Sequence, residues 1–242
     1  MGVAASIVLG GPAHAETTRV PMATIATTIQ SVLRGTQVHL NNYGRRHGNS
    51  WHKPNDSFVR LSAALGGREA RLTLPEVRGP AGRRYYVNDF NLSSVDASAS
   101  GSAISLVLQF ESRGIELKGR CSGNITCFGA SDDAAPDFNI NNARLLIPLV
   151  PVRHGGDLAY ATVNATFSAT VDGRGLGELI EGLVQRTIKR EVEQAVEGQL
   201  NSADVRNRIA SELRSRVLAP LRIGAITGIR VDGANLVIDH RR

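Results

Sequence analysis

The chain of 242 residues is short of several things at once. It has two cysteines, two methionines, one tryptophan and 5% aromatic residues in all. Two thiols are too few for a disulfide-stapled scaffold or a four-thiolate zinc site. No run of about eighteen uninterrupted apolar residues occurs after residue 15, which excludes a spanning helix from that part of the chain. No G-x-S-x-G, H-E-x-x-H or P-loop sequence is present, so no common hydrolase, zinc-protease or nucleotide-phosphate signature can be assigned. Lysine is scarce as well: Lys53, Lys118 and Lys189 are the only three among 28 cations, and the rest are arginines.

What remains is an ordinary globular composition, 42% hydrophobic and 21% charged. The net charge of +6 suits contact with an anionic surface, and the arginine fork offers bidentate hydrogen bonds to phosphate. The arginines are spread along the chain rather than gathered in one block. No dedicated nucleic-acid patch is expected.

The N-terminus carries a short apolar run, Val3 to Leu9, then Gly10, Gly11 and Pro12, then Ala13-His14-Ala15. Small residues at the first and third positions before a cut, here Ala15 and Ala13, are what signal peptidase requires, although no Lys or Arg precedes the apolar run. The expectation is a signal peptide over residues 1–15, cleavage after Ala15, and a single mature domain over 16–242 in the periplasm or outside the cell. In an oxidising compartment Cys121 and Cys127, which flank Ser-Gly-Asn-Ile-Thr, are expected to close a small disulfide that pins a turn.

Hydrophobic periodicity divides the chain. Met22, Ile25, Ile29, Val32 and Leu33 recur at helical spacing after Pro21, with Gly35 as a stop. Residues 41–56 read as a polar loop. From about 57 to 172 the period becomes two, as in Arg71–Leu74, Ile104–Phe110, Ile115–Lys118, Leu145–Val150 and Tyr160–Val171, and antiparallel strands are expected. Residues 129–142 read as a polar, acidic loop. Helical spacing returns in Leu176, Leu179, Ile180, Leu183, Val184, Ile188, Val192, Val196 and Leu200. After Asn201 or Ser202 a second helix runs to about 218, where Pro220 bars continuation. Two alternating runs around Asp232-Gly233 predict a closing hairpin.

Several local groupings invite a chemical reading. Asp172-Gly173-Arg174-Gly175-Leu176-Gly177-Glu178 joins a strand to a helix, but Glu178 would repel a pyrophosphate and no parallel strand follows. His47 and His52, beside Arg45, Arg46 and Trp51, have no third ligand nearby for a metal. Asp132, Asp133 and Asp137 lack the alternating spacing of a calcium loop. No catalytic residue, metal or cofactor is therefore expected. The long apolar helix face admits two fates: it fills a dry core, or a curved sheet leaves a greasy tunnel beside it.

The order of elements resembles the tubular lipid-binding superfamily, in particular its small periplasmic bacterial members. An N-terminal helix precedes antiparallel strands; a long helix, Leu176 to Leu218 with one break, follows; a hairpin, Ile223 to Ile238, closes the chain. The run Ile229-Arg230-Val231-Asp232-Gly233-Ala234-Asn235-Leu236-Val237-Ile238 is similar to the closing hairpin of those proteins. The long 41–56 loop and the paired cysteines depart from the pattern. The resemblance implies an α+β fold in which a strongly curved antiparallel sheet wraps a long amphipathic C-terminal helix. It also implies a phospholipid or other hydrophobic ligand held without chemistry. The expected lining is Leu176, Leu179, Ile180, Leu183, Val184 and Ile188, with arginines near the head group. The alternative is a non-enzymatic envelope scaffold whose core is filled.

Overall fold

The computed structural model of the protein describes residues 15–43, 45–47, 50–52, 57–60, 67, 69–71, 74, 76–78, 83–112, 114–121, 135–162, 164–173 and 178–241. The chain enters through β1 (Ala15–Pro21) and α1 (Met22–Leu33). Short strands follow: β2 (Gln37–Leu40), β3 (Arg45–His47), β4 (Ser50–His52), β5 (Phe58–Arg60), β6 (Glu69–Arg71), β7 (Val77–Arg78) and β8 (Arg83–Val87). The longer ones come next: β9 (Phe90–Ser100), β10 (Ala103–Glu111), β11 (Leu117–Cys121), β12 (Asn139–His154), β13 (Asp157–Thr162) and β14 (Thr166–Asp172). Helices α2 (Glu178–Leu200) and α3 (Ala203–Leu213), then a π-type turn at Arg214–Leu218, lead to β15 (Ala225–Asp232) and β16 (Asn235–Arg241).

The fold is α+β and mostly antiparallel sheet. The main sheet runs β13-β12-β10-β9-β2-β5-β6, with β14 also on β12, and curls into a half-barrel. Its curl has a local cause. β13 and β14 succeed one another along the edge of β12 opposite β10, through Leu149↔Thr162 and then Leu146↔Thr166. Asn142 lies at the register shift in β12 and Asn164 in the break between β13 and β14, with φ of 54° and 55°. Asparagine tolerates this left-handed conformation better than most residues, and extra residues of this kind bend and twist a sheet. Two smaller sheets, β11-β8-β7 and β1-β16-β15, complete the molecule together with the β3-β4 pair.

Period-two alternation places Ile104, Leu106 and Phe110 of β10 inward with Ala143, Leu145, Ile147 and Leu149 of β12. Met22, Ile25 and Ile29 of α1, and Leu213, Val217 and Leu218 near the C-terminal helices, belong to the same core. Each such Leu or Ile contributes roughly 1.5–3 kcal/mol of hydrophobic stabilisation. Helix α1 begins at Pro21, whose φ of −58° suits a helix entry, and ends before Gly35 at φ 81°.

The expected long helix, Leu176 to Leu218 with one break at Asn201 or Ser202 and wrapped by the sheet, is corrected: the break is where it was expected, but the helices are shorter. The helical stretch is divided among shorter pieces, each with its own support: α2 against β14, α3 against β13, and the π-type turn against α3 and α1. The reason is polar. Along α2, Glu181, Gln185, Glu193 and Glu197, followed by Asn201, form a row at four-residue intervals that passes over the exposed Lys189, and this row bonds to the free edge of the neighbouring strands. Glu197 accepts from the Ala165 amide at 2.6 Å, Glu193 from Phe167 at 2.7 Å and Glu181 from Gly173 at 3.0 Å. Gln185 donates to the Ala169 carbonyl at 2.7 Å, and Asn201 both accepts from and donates to the Thr162 backbone. An i, i+4 row is inclined to the helix axis, so it can follow a strand that crosses it. Helix α2 thus takes the place of a further strand and blocks the edge from pairing with another chain.

Other expectations also change. The expected loop over 41–56 is not all loop: β3 and β4 pair through Arg45↔His52, Arg46↔Trp51 and His47↔Ser50. Residues 139–142 belong to β12, and Phe138 forms a bridge with Leu117. Strand β1 pairs with β16 from Ala15↔Arg241 to Pro21↔Asn235, a partnership that local periodicity does not announce.

Candidate functional site

A cleft of about 610 Å³ opens where the large sheet meets the β11-β8-β7 sheet. It is lined by His39, Asn88, Asp89, Asn91, Ile115, Glu116 and Lys118. Three separate segments supply these groups. His39 on β2 stands opposite Asn91 on β9. Asn88 and Asp89 form the two-residue corner by which β8 of one sheet becomes β9 of the other. Ile115 and Glu116 precede β11, on which Lys118 sits.

The corner is held from below. The Asn88 amide donates to the Glu116 carbonyl at 2.7 Å, and the Asn88 side chain donates to the Ile115 carbonyl at 3.2 Å. Asp89 takes φ 48°, and its carboxylate accepts from the Asn41 side chain at 3.2 Å. The Glu116 side chain is buried in the floor. Its carboxylate accepts from Ser112 Oγ at 3.2 Å, the Gly114 amide at 2.9 Å and the Ile140 amide at 3.1 Å, a donor set that offsets the burial of its charge. Lys118 Nζ pairs with Asp137 at 3.0 Å, and Asp137 also accepts from the Gly119 amide at 2.9 Å.

His39 is oriented by a relay. The Asn91 side chain donates through Nδ2 to the Asp89 carbonyl at 2.9 Å, which turns its Oδ1 toward His39 Nδ1 at 2.8 Å. Oδ1 accepts only, so Nδ1 carries the proton and Nε2 of the neutral ring is left as an acceptor. The His39 ring rests on Phe58 with centroids 5.1 Å apart. Beside the cleft, the cations of Lys118 and Arg120 lie 5.9 and 5.2 Å from the centroid of the Tyr43 ring. Burial, and then the Glu76 carboxylate that accepts from its hydroxyl, push Tyr86 above the ordinary tyrosine range. The cleft therefore offers an oriented imidazole, a carboxylate, amide groups and an ammonium. That inventory suits hydrogen bonding to a polar molecule.

Of the residues singled out by sequence and described, only Asp137 adjoins the cleft, through Lys118. Val184 and Ile188 are buried in the core, at 1% and 5% exposure, whereas Leu183 is 37% exposed. Leu176 and the side chains of Leu179 and Ile180 are outside the described residues. Cys121, at the end of β11, is disulfide-bonded, and Cys127 is outside the described residues. Asp137 serves Lys118 and Gly119, while Asp132 and Asp133 are not described. Among the described residues no three His, Cys, Asp or Glu side chains converge as metal ligands. Gly173 has a packing role, since a Cβ there would stand 2.6 Å from the Phe138 ring. The cleft residues share no motif; the nearest signal is Asn88-Asp89, a turn-forming pair between two alternating runs.

No protein-family model matches the chain, and no curated protein matches it.

Proposed function

We propose that the protein is an exported binding protein that holds or shuttles a lipid or other hydrophobic molecule and performs no chemistry on it. The observation that carries this reading is how α2 distributes its apolar stripe. Val184 and Ile188 are sunk in the core, but Val192, Val196 and Leu200 farther along are only partly buried, as is Ile209 on α3. An acyl chain laid along that seam would gain about 0.8 kcal/mol for each methylene removed from water. The seat thus shifts along the helix from Val184 and Ile188 of the lining expected from sequence; the rest of that lining, apart from the exposed Leu183, lies outside the described residues. Arg186, Lys189 and Arg190 are exposed on α2 near the exposed Leu183, an arrangement suited to an anionic membrane surface. The disulfide at Cys121 accords with an oxidising compartment.

Native mass spectrometry of the gently purified full chain is expected to show lipid adducts that Val196→Asp removes. A protein free of lipid, whose melting temperature ignores added fatty acid and phospholipid, would refute the proposal. The depth of Val184 and Ile188 favours a second reading, an envelope scaffold with a filled core, which predicts a stable protein partner in pulldowns and no response to lipid.

A further inference from the structure

We propose that the cleft between the two sheets binds a neutral polyhydroxylated ligand, a sugar ring either free or as the head group of a glycolipid. At about 610 Å³ it falls within the size range of small-molecule sites, roughly 300–1,000 Å³. Such sites are usually apolar, whereas here Ile115 is the single apolar side chain among the seven lining residues.

The charges choose among polar ligands. An anion would meet the carboxylates of Asp89 and Glu116, and the one lining ammonium, Lys118, is already paired with Asp137. A cation would meet Lys118, and the Glu116 carboxylate already accepts three hydrogen bonds. A neutral polyol meets neither obstacle. Each hydroxyl both donates and accepts, and the cleft presents both partners: His39 Nε2, Asn88 Oδ1 and Asp89 Oδ2 accept, while the Lys118 ammonium has further hydrogens to donate.

The site is also assembled before a ligand arrives. Asn91 fixes the tautomer of His39, Ile115 and Glu116 fix the Asn88 backbone and side chain, and Asn41 holds one oxygen of Asp89. Preorganisation lowers the entropic cost of binding. This inference does not depend on the lipid-binding reading.

The test titrates the isotope-labelled full chain with the methyl glycosides of glucose, galactose, mannose and N-acetylglucosamine, followed by NMR. Inorganic phosphate and glycine serve as charged controls. Saturable shifts of the His39 ring and of the Asn88 and Asn91 side-chain amides are expected with at least one glycoside. Asp89→Asn keeps the shape and tolerates the positive φ, yet should weaken binding about tenfold or more, as a charge-assisted bond becomes a neutral one. His39→Gln should do the same, and the backbone amide spectrum of each variant should stay that of the folded parent away from the cleft. Phosphatidylcholine vesicles with and without monogalactosyl diacylglycerol separate the two sources: binding only to the glycolipid vesicle assigns a head group, and binding to soluble glycoside assigns a free sugar. The proposal is overturned if no glycoside or glycolipid perturbs these residues, if phosphate or glycine binds there more tightly, or if both variants bind as the parent does. Lipid adducts in native mass spectra should survive Asp89→Asn, so the two readings can fail separately.

Discussion

Replacing Glu193 and Glu197 together by alanine should unseal the edge of β14. Both carboxylates accept from backbone amides that have no strand on that side, Phe167 at 2.7 Å and Ala165 at 2.6 Å. Truncating a charged acceptor leaves a part-buried N–H without its partner, at a cost of about 1.5–3 kcal/mol for each bond. The two sites are one helical turn apart and share a strand, so the pair should cost somewhat less than the sum, about 3–5 kcal/mol. For a chain of this size that lowers the melting temperature by roughly 6–20 °C. Alanine is the best helix former, so the loss cannot be blamed on helix propensity. The glutamine pair keeps a neutral acceptor and should lose about half as much. Glu191→Ala, which removes only an exposed pairing with Arg190, should cost less than about 1 kcal/mol. Urea titration measures the three variants, and amide hydrogen exchange locates the change. Protection should fall at Ala165 and Phe167 before it falls in β10. If the alanine pair melts with the Glu191 control, or those two amides keep their protection, α2 does not seal this edge by its carboxylates.

Four further outcomes are expected. Tyr160 is buried without a hydrogen-bond partner for its hydroxyl among the described residues, and burial pushes that hydroxyl far above the ordinary tyrosine range. Tyr160→Phe should therefore stabilise the protein by about 0.5–2 kcal/mol in urea titration, and a loss of stability would show that the hydroxyl is satisfied. The Thr17 hydroxyl and then Arg230 hold the exposed Asp239 carboxyl below its usual range, so the folded state favours the ionised form. This contribution is present above the ordinary aspartate value and disappears as acid protonates Asp239. Thr17→Val should raise the Asp239 midpoint in a carboxyl NMR titration, and an unmoved midpoint would remove Thr17 as the cause. A Cβ on Gly119 would overlap the Pro136 carbonyl oxygen and stand 3.0 Å from Ala135 Cβ, so Gly119→Ala should cost about 1–3 kcal/mol in urea, and a neutral result would mean that the 135–137 segment yields. Ile188→Ala should cost about 2–4 kcal/mol and Leu183→Ala under about 1, because only the first sits in the core; equal losses would contradict that burial pattern.

Where neighbouring residues carry the signal, the sequence was readable. Met22, Ile25 and Ile29 mark α1, and Gly35 ends it. Alternation marks β10, Asn201 marks the break after α2, and Asp232 pairs with Asn235 across the turn at Gly233. The pairing of β3 with β4 was not readable, because Arg-Arg-His and Ser-Trp-His show no alternation of apolar and polar residues. Nor was the cleft, whose groups come from β2, from the corner between β8 and β9, and from the segment around β11. The polar row on α2 was visible as residues but not as a seal, since its meaning depends on which strand edge lies beside it.

Taken alone, the order of residues determined the class of fold, the alternation of strands and helices, the positive charge and the scarcity of cysteine and aromatic residues. These follow from propensity and periodicity, which act over a few residues. Tertiary structure alone decided that β1 joins β16, that α2 lies along the edge of β14, and that His39, Asp89 and Lys118 face one cleft. Those outcomes depend on strand register and on which buried polar groups find partners, and both are set by contacts between residues far apart in the chain.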